Sequence, residues 1–137
     1  MKKLLSTKYS AGAFNAAMLL LRIVFGGVML HHGYQKLVGF STMKNNFMNF
    51  LGMGSTMSLA LVVFAEFFCA LFIILGLFTR FAAIALIICM AVAFFIAHKG
   101  IIFGENSGEV ALLYLGAYTV LLLIGPGKIS VDSMIGK

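Results

Sequence analysis

The sequence predicts an all-α integral membrane protein, a four-helix bundle with both termini in the cytoplasm, formed as a single domain over residues 1–137. Hydrophobic residues make up 62% of the chain and charged residues only 10%, whereas soluble domains are about 45–50% apolar and about 25% charged. The mean hydropathy is +1.08. Four apolar stretches lie at residues 14–37, 57–77, 81–97 and 110–124, and a membrane helix needs about 20 apolar residues. These stretches do not alternate polar and apolar residues, which excludes a β-barrel.

The first stretch, residues 14–37, follows a short basic lead. It is too long for the core of a typical signal peptide and no small-residue cleavage site follows it, so we expect an uncleaved first span. The loop after it, residues 38–56, is the longest in the chain. Within this loop, residues 43–50 fit either an amphipathic helix in the membrane interface or a connecting loop with aromatic anchors.

The ends of the remaining stretches carry residues that are typical of helix termini. Gly76 is a candidate C-cap, so the second and third helices should form a tight antiparallel hairpin. Ser107 is a candidate N-cap for the fourth helix, and Glu109 in its first turn suits the positive end of the helix dipole. The Gly-Pro-Gly sequence at residues 125–127 should end that helix.

The distribution of lysine and arginine sets the predicted orientation. With four spans, six basic residues fall on the side of the termini and three on the other side, which favours cytoplasmic termini in a multi-pass protein of the bacterial inner membrane. The six are Lys2, Lys3, Lys8, Arg80, Lys128 and Lys137, and the three are Lys36, Lys44 and Lys99. Because the net charge of +6 is scattered over helix ends, a nucleic-acid partner is excluded.

Two charged residues interrupt the apolar stretches, Arg22 in the first and Glu66 in the second. A charge at mid-bilayer costs about 2.5–3.5 kcal/mol on insertion scales and usually has a partner. Counting from the ends of the spans places both residues near the midplane, so we expect them to pair. The pair is either a structural tie between two helices or part of a proton or ligand site.

A polar stripe extends from Arg22 along one face of the first helix. Projection at the helical period puts Arg22, His32 and Lys36 toward the bundle, with Gly26 and Gly33 allowing close approach of a neighbouring helix. Together with Glu66 and Glu109, these polar residues predict a ligand site between Arg22 and the end of the bundle opposite the termini, suited to an anionic or quinone-like ligand. No metal site is predicted, because the histidines and carboxylates come from different helices without ligand spacing. Catalytic residues are not identified.

Cys69 and Cys89 are the two cysteines of the chain. Each lies ten residues from Thr79 in the hairpin, so they should have similar depth. They fit apolar packing residues or a redox-active pair, although a C-x-x-C motif is absent.

The order of these motifs resembles the DoxX family of small four-helix bacterial membrane proteins, over nearly the whole chain. The motifs are LRIVFGG at residues 21–27, HGYQKL at 32–37, Glu66, LGLFTR at 75–80, Glu109 and GPGKISVD at 125–132. The family is similar to the small subunit of an archaeal thiosulfate:quinone oxidoreductase, and some members resemble partners in thiol or oxidative-stress systems. The resemblance therefore implies the fold and, by analogy, a redox connection.

Three functions remain open from the sequence. The first is an accessory or quinone-linked subunit of a membrane redox system with soluble or membrane partner proteins. The second is a small proton-coupled transporter, and the third is a structural or assembly protein without catalysis. The chain is at most a subunit of an oxidoreductase, with quinone as the candidate cofactor, the lipid bilayer as a partner, and homo-oligomerisation left open.

Overall fold

The computed structural model describes residues 2–105 and 107–136. Within these ranges the regular secondary structure is entirely helical, which confirms the all-α part of the predicted fold class. We number the helices α1 (Ala11–Val38), α2 (Phe40–Met43), α3 (Ser55–Leu75), α4 (Thr79–Ala97), α5 (Glu109–Ile124) and α6 (Val131–Ile135).

Three of these helices, α1, α3 and α4, are long and apolar enough to cross a membrane. Helix α5 is equally apolar but has 16 residues. The four long helices lie within a few residues of the four predicted stretches. The chain is thus a helical membrane protein, and its many exposed leucine, isoleucine and phenylalanine side chains suit contact with lipid.

The four long helices pack around one apolar core. Helix α1 lies along α3, and α4 lies along both α3 and α5. The core includes Met29, Cys69, Leu86 and Tyr118. We call the end with the start of α1, the α3–α4 turn and the residues after α5 the terminal end, and the opposite end the loop end.

The terminal end is held by the α3–α4 turn and the C-terminal segment. Gly76 ends α3 in the left-handed region, with φ 69°, as the sequence predicts. The carboxylate of Asp132 accepts hydrogen bonds from the backbone N–H groups of Phe78, at 2.7 Å, and Thr79, at 2.9 Å. These N–H groups belong to the N-cap and the first residue of α4 and would otherwise lack helical partners. The C-terminal segment therefore caps the third long helix from a distance in sequence.

The ends of α5 agree with the prediction in part. Gly125 follows the last helical residue with φ 94°, so the Gly-Pro-Gly breaker ends the helix as expected. Glu109 lies in the first turn as predicted, but Ser107 is not the N-cap. Gly108 takes that position, because the start of α5 packs closely on α4: a Cβ at Gly108 would lie 2.6 Å from Phe94 and 3.0 Å from His98.

The long loop at the loop end is folded but not an amphipathic helix. Helix α2 stops at Met43, and residues 44–54 form turns, bends and irregular chain. The backbone N–H of Phe50 donates to the Ser58 hydroxyl at 2.9 Å, and that of Gly54 donates to the Asn49 side chain at 2.7 Å. The connecting-loop interpretation is therefore the one observed.

Candidate functional site

The two buried charges lie in separate environments. Arg22 is 2% exposed and Glu66 is 4% exposed, but they do not contact each other. The predicted Arg22–Glu66 pair is therefore wrong, and each residue has its own partners.

The guanidinium of Arg22 binds four backbone carbonyl groups. Nε donates to Ile73 at 3.0 Å and Nη2 donates to Ile74 at 2.9 Å. Nη1 donates to Pro126 at 2.9 Å and to Ile129 at 2.6 Å. The first two carbonyls belong to the last turn of α3, where carbonyls lack the i+4 N–H partners of the helix interior and the helix dipole is negative; that of Ile73 also accepts from the Gly76 N–H. Arg22 thus joins α1, the end of α3 and the C-terminal segment.

Helix register explains why the pairing prediction failed. An added Cβ at Gly33 would collide with the backbone of Glu66, so these two residues lie at the same level. Arg22 precedes Gly33 by eleven residues, a rise of about 16 Å along a helix. Arg22 reaches the carbonyls of the last turn of α3, so the first turns of α1 extend beyond the end of α3. Counting from the ends of the spans ignores this offset between the two helices and therefore placed both charges at a common depth.

Glu66 pairs instead with Lys36, which lies near the end of α1. The Lys36 ammonium is 2.7 Å from each carboxylate oxygen of Glu66. The Lys36 side chain is 27% exposed and that of Glu66 only 5%, so the pair runs from the interior toward the loop end. The thiol of Cys89 on α4 also points to Glu66, with Sγ 3.9 Å from Oε2.

Glu66 lies on a π-helical segment of α3, Phe64–Cys69. Such segments are rare and frequently occur at functional sites, because the extra residue in the turn redirects side chains. Helix α4 contains a second π-helical segment, Ala93–Ala97, at the same end of the bundle. Gly33 leaves room for α1 to approach the first segment closely. Local geometry, rather than the hydrophobic pattern alone, therefore aims the Glu66 carboxylate.

These residues border a cavity of about 380 Å³ at the loop end, which we call the polar cavity. Its walls come from α1, α3, α4, α5 and the long loop. The lining residues are Met29, His32, Lys36, Phe47, Met48, Val62, Glu66, Cys89, Met90, Val92, Ala93, Ala97, His98, Val110, Ala111 and Tyr114. A few polar side chains thus converge on a largely apolar wall, which is the usual character of a ligand pocket.

The polar cavity brings together three of the five residues proposed from the sequence: His32, Lys36 and Glu66. Arg22 lies toward the terminal end with its own partners. Glu109 is exposed in the first turn of α5 and is not among the described residues that line the cavity. Of the predicted stripe, the structure thus brings His32, Lys36 and Glu66 together at the loop end and places Arg22 and Glu109 apart from them.

Three other polar or thiol-bearing residues of the wall, Cys89, His98 and Tyr114, are absent from the sequence-based site. The Tyr114 ring packs edge-on against His32, with ring centroids 6.4 Å apart. The sequence could have indicated Tyr114 through the helical period of α5, because Tyr114 lies on the same helix face as the buried Tyr118. Within the described ranges, no three His, Cys, Asp or Glu side chains form a cluster suited to a metal ion.

The fold and the cavity define a class, a small helical membrane protein with a polar cavity inside one end of its bundle. The family model described as DoxX matches residues 17–99, which is more than half of the chain. The protein belongs to the DoxX family.

Curated relatives extend the similarity beyond the matched region. A Haemophilus influenzae protein described as an uncharacterized protein is 34% identical over 124 residues, covering 85% of this chain and 89% of the relative. A second uncharacterized protein of the same organism is 34% identical over 67 residues, covering 47% of this chain and 44% of the relative. No solved structure matches the chain.

Proposed function

We propose that this protein is a multi-pass protein of the bacterial inner membrane whose polar cavity binds the head group of a quinone, as an accessory subunit of a membrane redox system. The observation that carries this proposal is the Lys36–Glu66 ion pair at the wall of a 380 Å³ cavity that also contains His32. Family membership favours a redox system by analogy alone.

The donors and acceptors of the cavity suit a quinone head group. A quinone is a flat, apolar ring with two carbonyl acceptors. The Lys36 ammonium has three N–H donors, and its two bonds to Glu66 leave the third for a ligand oxygen. The apolar wall, including Met29 and Tyr114, suits the ring.

The same residues suit proton transfer. Reduction of a bound quinone to the quinol would take two electrons from a partner protein and two protons from the surroundings of the head group. His32 both lines the cavity and is exposed at the loop end, so its imidazole can exchange protons with water and supply them inside. Glu66 balances the charge of Lys36 as protons move. This assigns a positioning and protonation role to the chain and leaves electron donation to its partner.

The proposed orientation places the polar cavity away from the cytoplasm. We propose that α5 is the fourth span, although its 16 residues extend only about 24 Å against a hydrocarbon core of about 30 Å. The flanking residues would complete the crossing. Both ends of the chain then lie on the cytoplasmic side with six of its lysine and arginine residues, in line with the positive-inside rule.

A structural or assembly role is the second candidate. It is favoured by the Arg22 contacts, which satisfy a buried charge with four backbone carbonyls and tie three segments together. Such an arrangement needs no ligand. The two candidates differ in one respect: only the first requires the polar cavity to be occupied by a molecule from outside the chain.

Quinone binding to the purified protein in detergent tests the proposal. Calorimetric titration with a short-chain benzoquinone should give saturable binding, and Lys36→Met should weaken it at least about tenfold, because a charge-assisted hydrogen bond contributes about 1.5–3 kcal/mol. Lys99→Met changes an exposed lysine at the same end and should leave the Kd unchanged.

The histidines offer a second matched pair. His32→Gln should weaken binding, whereas His31→Gln, at the exposed neighbouring residue, should not. Absence of saturable binding, or equal loss in the Lys36 and Lys99 variants, would contradict the proposal.

A further inference from the structure

A second cavity, of about 280 Å³, lies between α3 and α4 beneath the long loop. We call it the apolar cavity. Apart from Ser58, its lining side chains are apolar or carry only a thiol. The Ser58 hydroxyl is already used, since it donates to Gly54 and accepts from the backbone N–H of Phe50. The apolar cavity therefore offers contact to hydrocarbon and no polar recognition.

The two cavities adjoin. They share five lining residues, Phe47, Met48, Val62, Cys89 and Val92. A single layer of side chains thus separates the polar cavity from the apolar one. Met48 is unbranched and flexible, so this layer can adapt to a chain that passes through it.

The apolar cavity also borders the lipid. Three of its lining residues, Leu61 and Phe64 on α3 and Ile88 on α4, are between 42% and 58% exposed on the outside of the bundle. Hydrocarbon in the bilayer is as apolar as these side chains, so an apolar chain can enter sideways without crossing water. The Ser55 hydroxyl donates to the Lys44 carbonyl at 2.5 Å, which ties the long loop to the start of α3.

We infer that the two cavities form one site for a single-chain amphiphile drawn from the bilayer, with its polar head beside Lys36 and Glu66 and its apolar chain between α3 and α4. This inference rests on the proposed function for the head group and adds the chain. It excludes a ligand that is polar throughout, because such a molecule would leave the apolar cavity unmatched. The head must carry at least one oxygen that accepts a hydrogen bond from Lys36.

Two thiols can report on the two cavities separately. In a Cys69→Ala, Leu61→Cys variant, the native Cys89 lies in the shared layer and the Leu61→Cys thiol lies at the rim of the apolar cavity. Alkylation by N-ethylmaleimide in proteoliposomes is then measured for each thiol by peptide mass spectrometry. The probes are a fully substituted dimethoxy-dimethyl-benzoquinone and its decyl homologue, at equal mole fraction in the lipid, and neither can add thiols at an open ring position.

The decyl probe should slow alkylation at both thiols, by at least about tenfold at saturation. The tailless probe should slow it at Cys89 alone. Ala85→Phe, which fills the apolar cavity, should remove the effect of the decyl chain at Leu61→Cys. Ile84→Phe places the same ring on the exposed face of α4 and should not. Quinones with tails of increasing length, measured on the variant without Ala85→Phe, give a second test. This test does not depend on whether the Ala85→Phe protein folds.

The outcomes separate the inference from the proposed function. Protection of Cys89 by both quinones with no protection of Leu61→Cys would overturn the inference and keep the quinone head group. Protection of both thiols by a lysophospholipid but by neither quinone would support the amphiphile site and contradict the quinone. Failure of every probe to protect the Leu61→Cys thiol would overturn the inference.

Discussion

The Lys36 ammonium lies 2.7 Å from both carboxylate oxygens of Glu66 and ties the last turns of α1 to the π-helical segment of α3. The pair is asymmetric, because Glu66 is buried whereas Lys36 is partly exposed. Replacing Lys36 should therefore lower the free energy of unfolding more than is usual for a partly exposed lysine, because it leaves the Glu66 carboxylate without a partner in an apolar interior.

We predict that Lys36→Met lowers the stability of the protein in detergent by about 1–3 kcal/mol, the cost of leaving a buried acceptor without its partner. Glu66→Gln in the same chain should recover part of this loss, because the buried charge is removed. Thermal unfolding followed by circular dichroism measures both, and is suited to a chain without tryptophan. A double variant that shows the simple sum of the two losses would rule out direct coupling.

Gly33 should tolerate no larger side chain. Gly33→Ala places a methyl group into the backbone of Glu66 and Phe67, so it should destabilise by about 1–3 kcal/mol or more through overpacking. The matched control is Gly27→Ala on the same helix, where a Cβ has open space within 4 Å. That control should be neutral or slightly stabilising, because alanine favours helix over glycine. Equal unfolding temperatures for the two variants would show that α1 does not pack on α3 as described.

Arg22→Lys should destabilise although the charge is kept. The guanidinium serves four carbonyls at once, and an ammonium has only three donors without the planar fork. We expect a loss of about 2 kcal/mol or more, since at least one buried carbonyl loses its partner. Arg80→Lys, at an exposed arginine whose bond to Ile124 is 3.4 Å long, should change stability by less than about 0.5 kcal/mol.

The separation of the two charged sites makes a further prediction. Because Arg22 and Glu66 lie about 16 Å apart by helix rise, Arg22→Lys and Lys36→Met should be additive within about 0.3–0.5 kcal/mol. The same unfolding experiment on the double variant measures this. A coupling free energy well above that range would indicate a direct link between the two sites and contradict their separation.

Much of the fold was predictable because its signals are local. Hydrophobic runs predicted the long helices, Gly76 predicted the hairpin, and the Gly-Pro-Gly sequence predicted the end of α5. Each signal is read within a few neighbouring residues. The Asp132 cap on α4 lies more than fifty residues away in sequence and leaves no such local trace.

The candidate site was predictable only in part, for two physical reasons. First, the partners of Arg22 are backbone carbonyls, which every residue type supplies, so side-chain pattern could not reveal them. Second, the π-helical turn around Glu66 changes helix register without a distinctive residue pattern. Lys36, His32 and Glu66 nevertheless line one cavity, and the sequence could group them because all three are polar residues within apolar stretches.

The most direct test of the proposed site is photolabelling in native membranes with an azido-substituted quinone, followed by peptide mapping. We predict that the label maps to the lining of the polar cavity, in α1 near Met29 and Lys36 and in α3 and α4 near Glu66 and Cys89. An excess of unlabelled quinone should prevent labelling, and so should Lys36→Met but not Lys99→Met. Label spread evenly over lipid-facing residues such as Leu20 and Ile23, or label unaffected by Lys36→Met, would contradict the account.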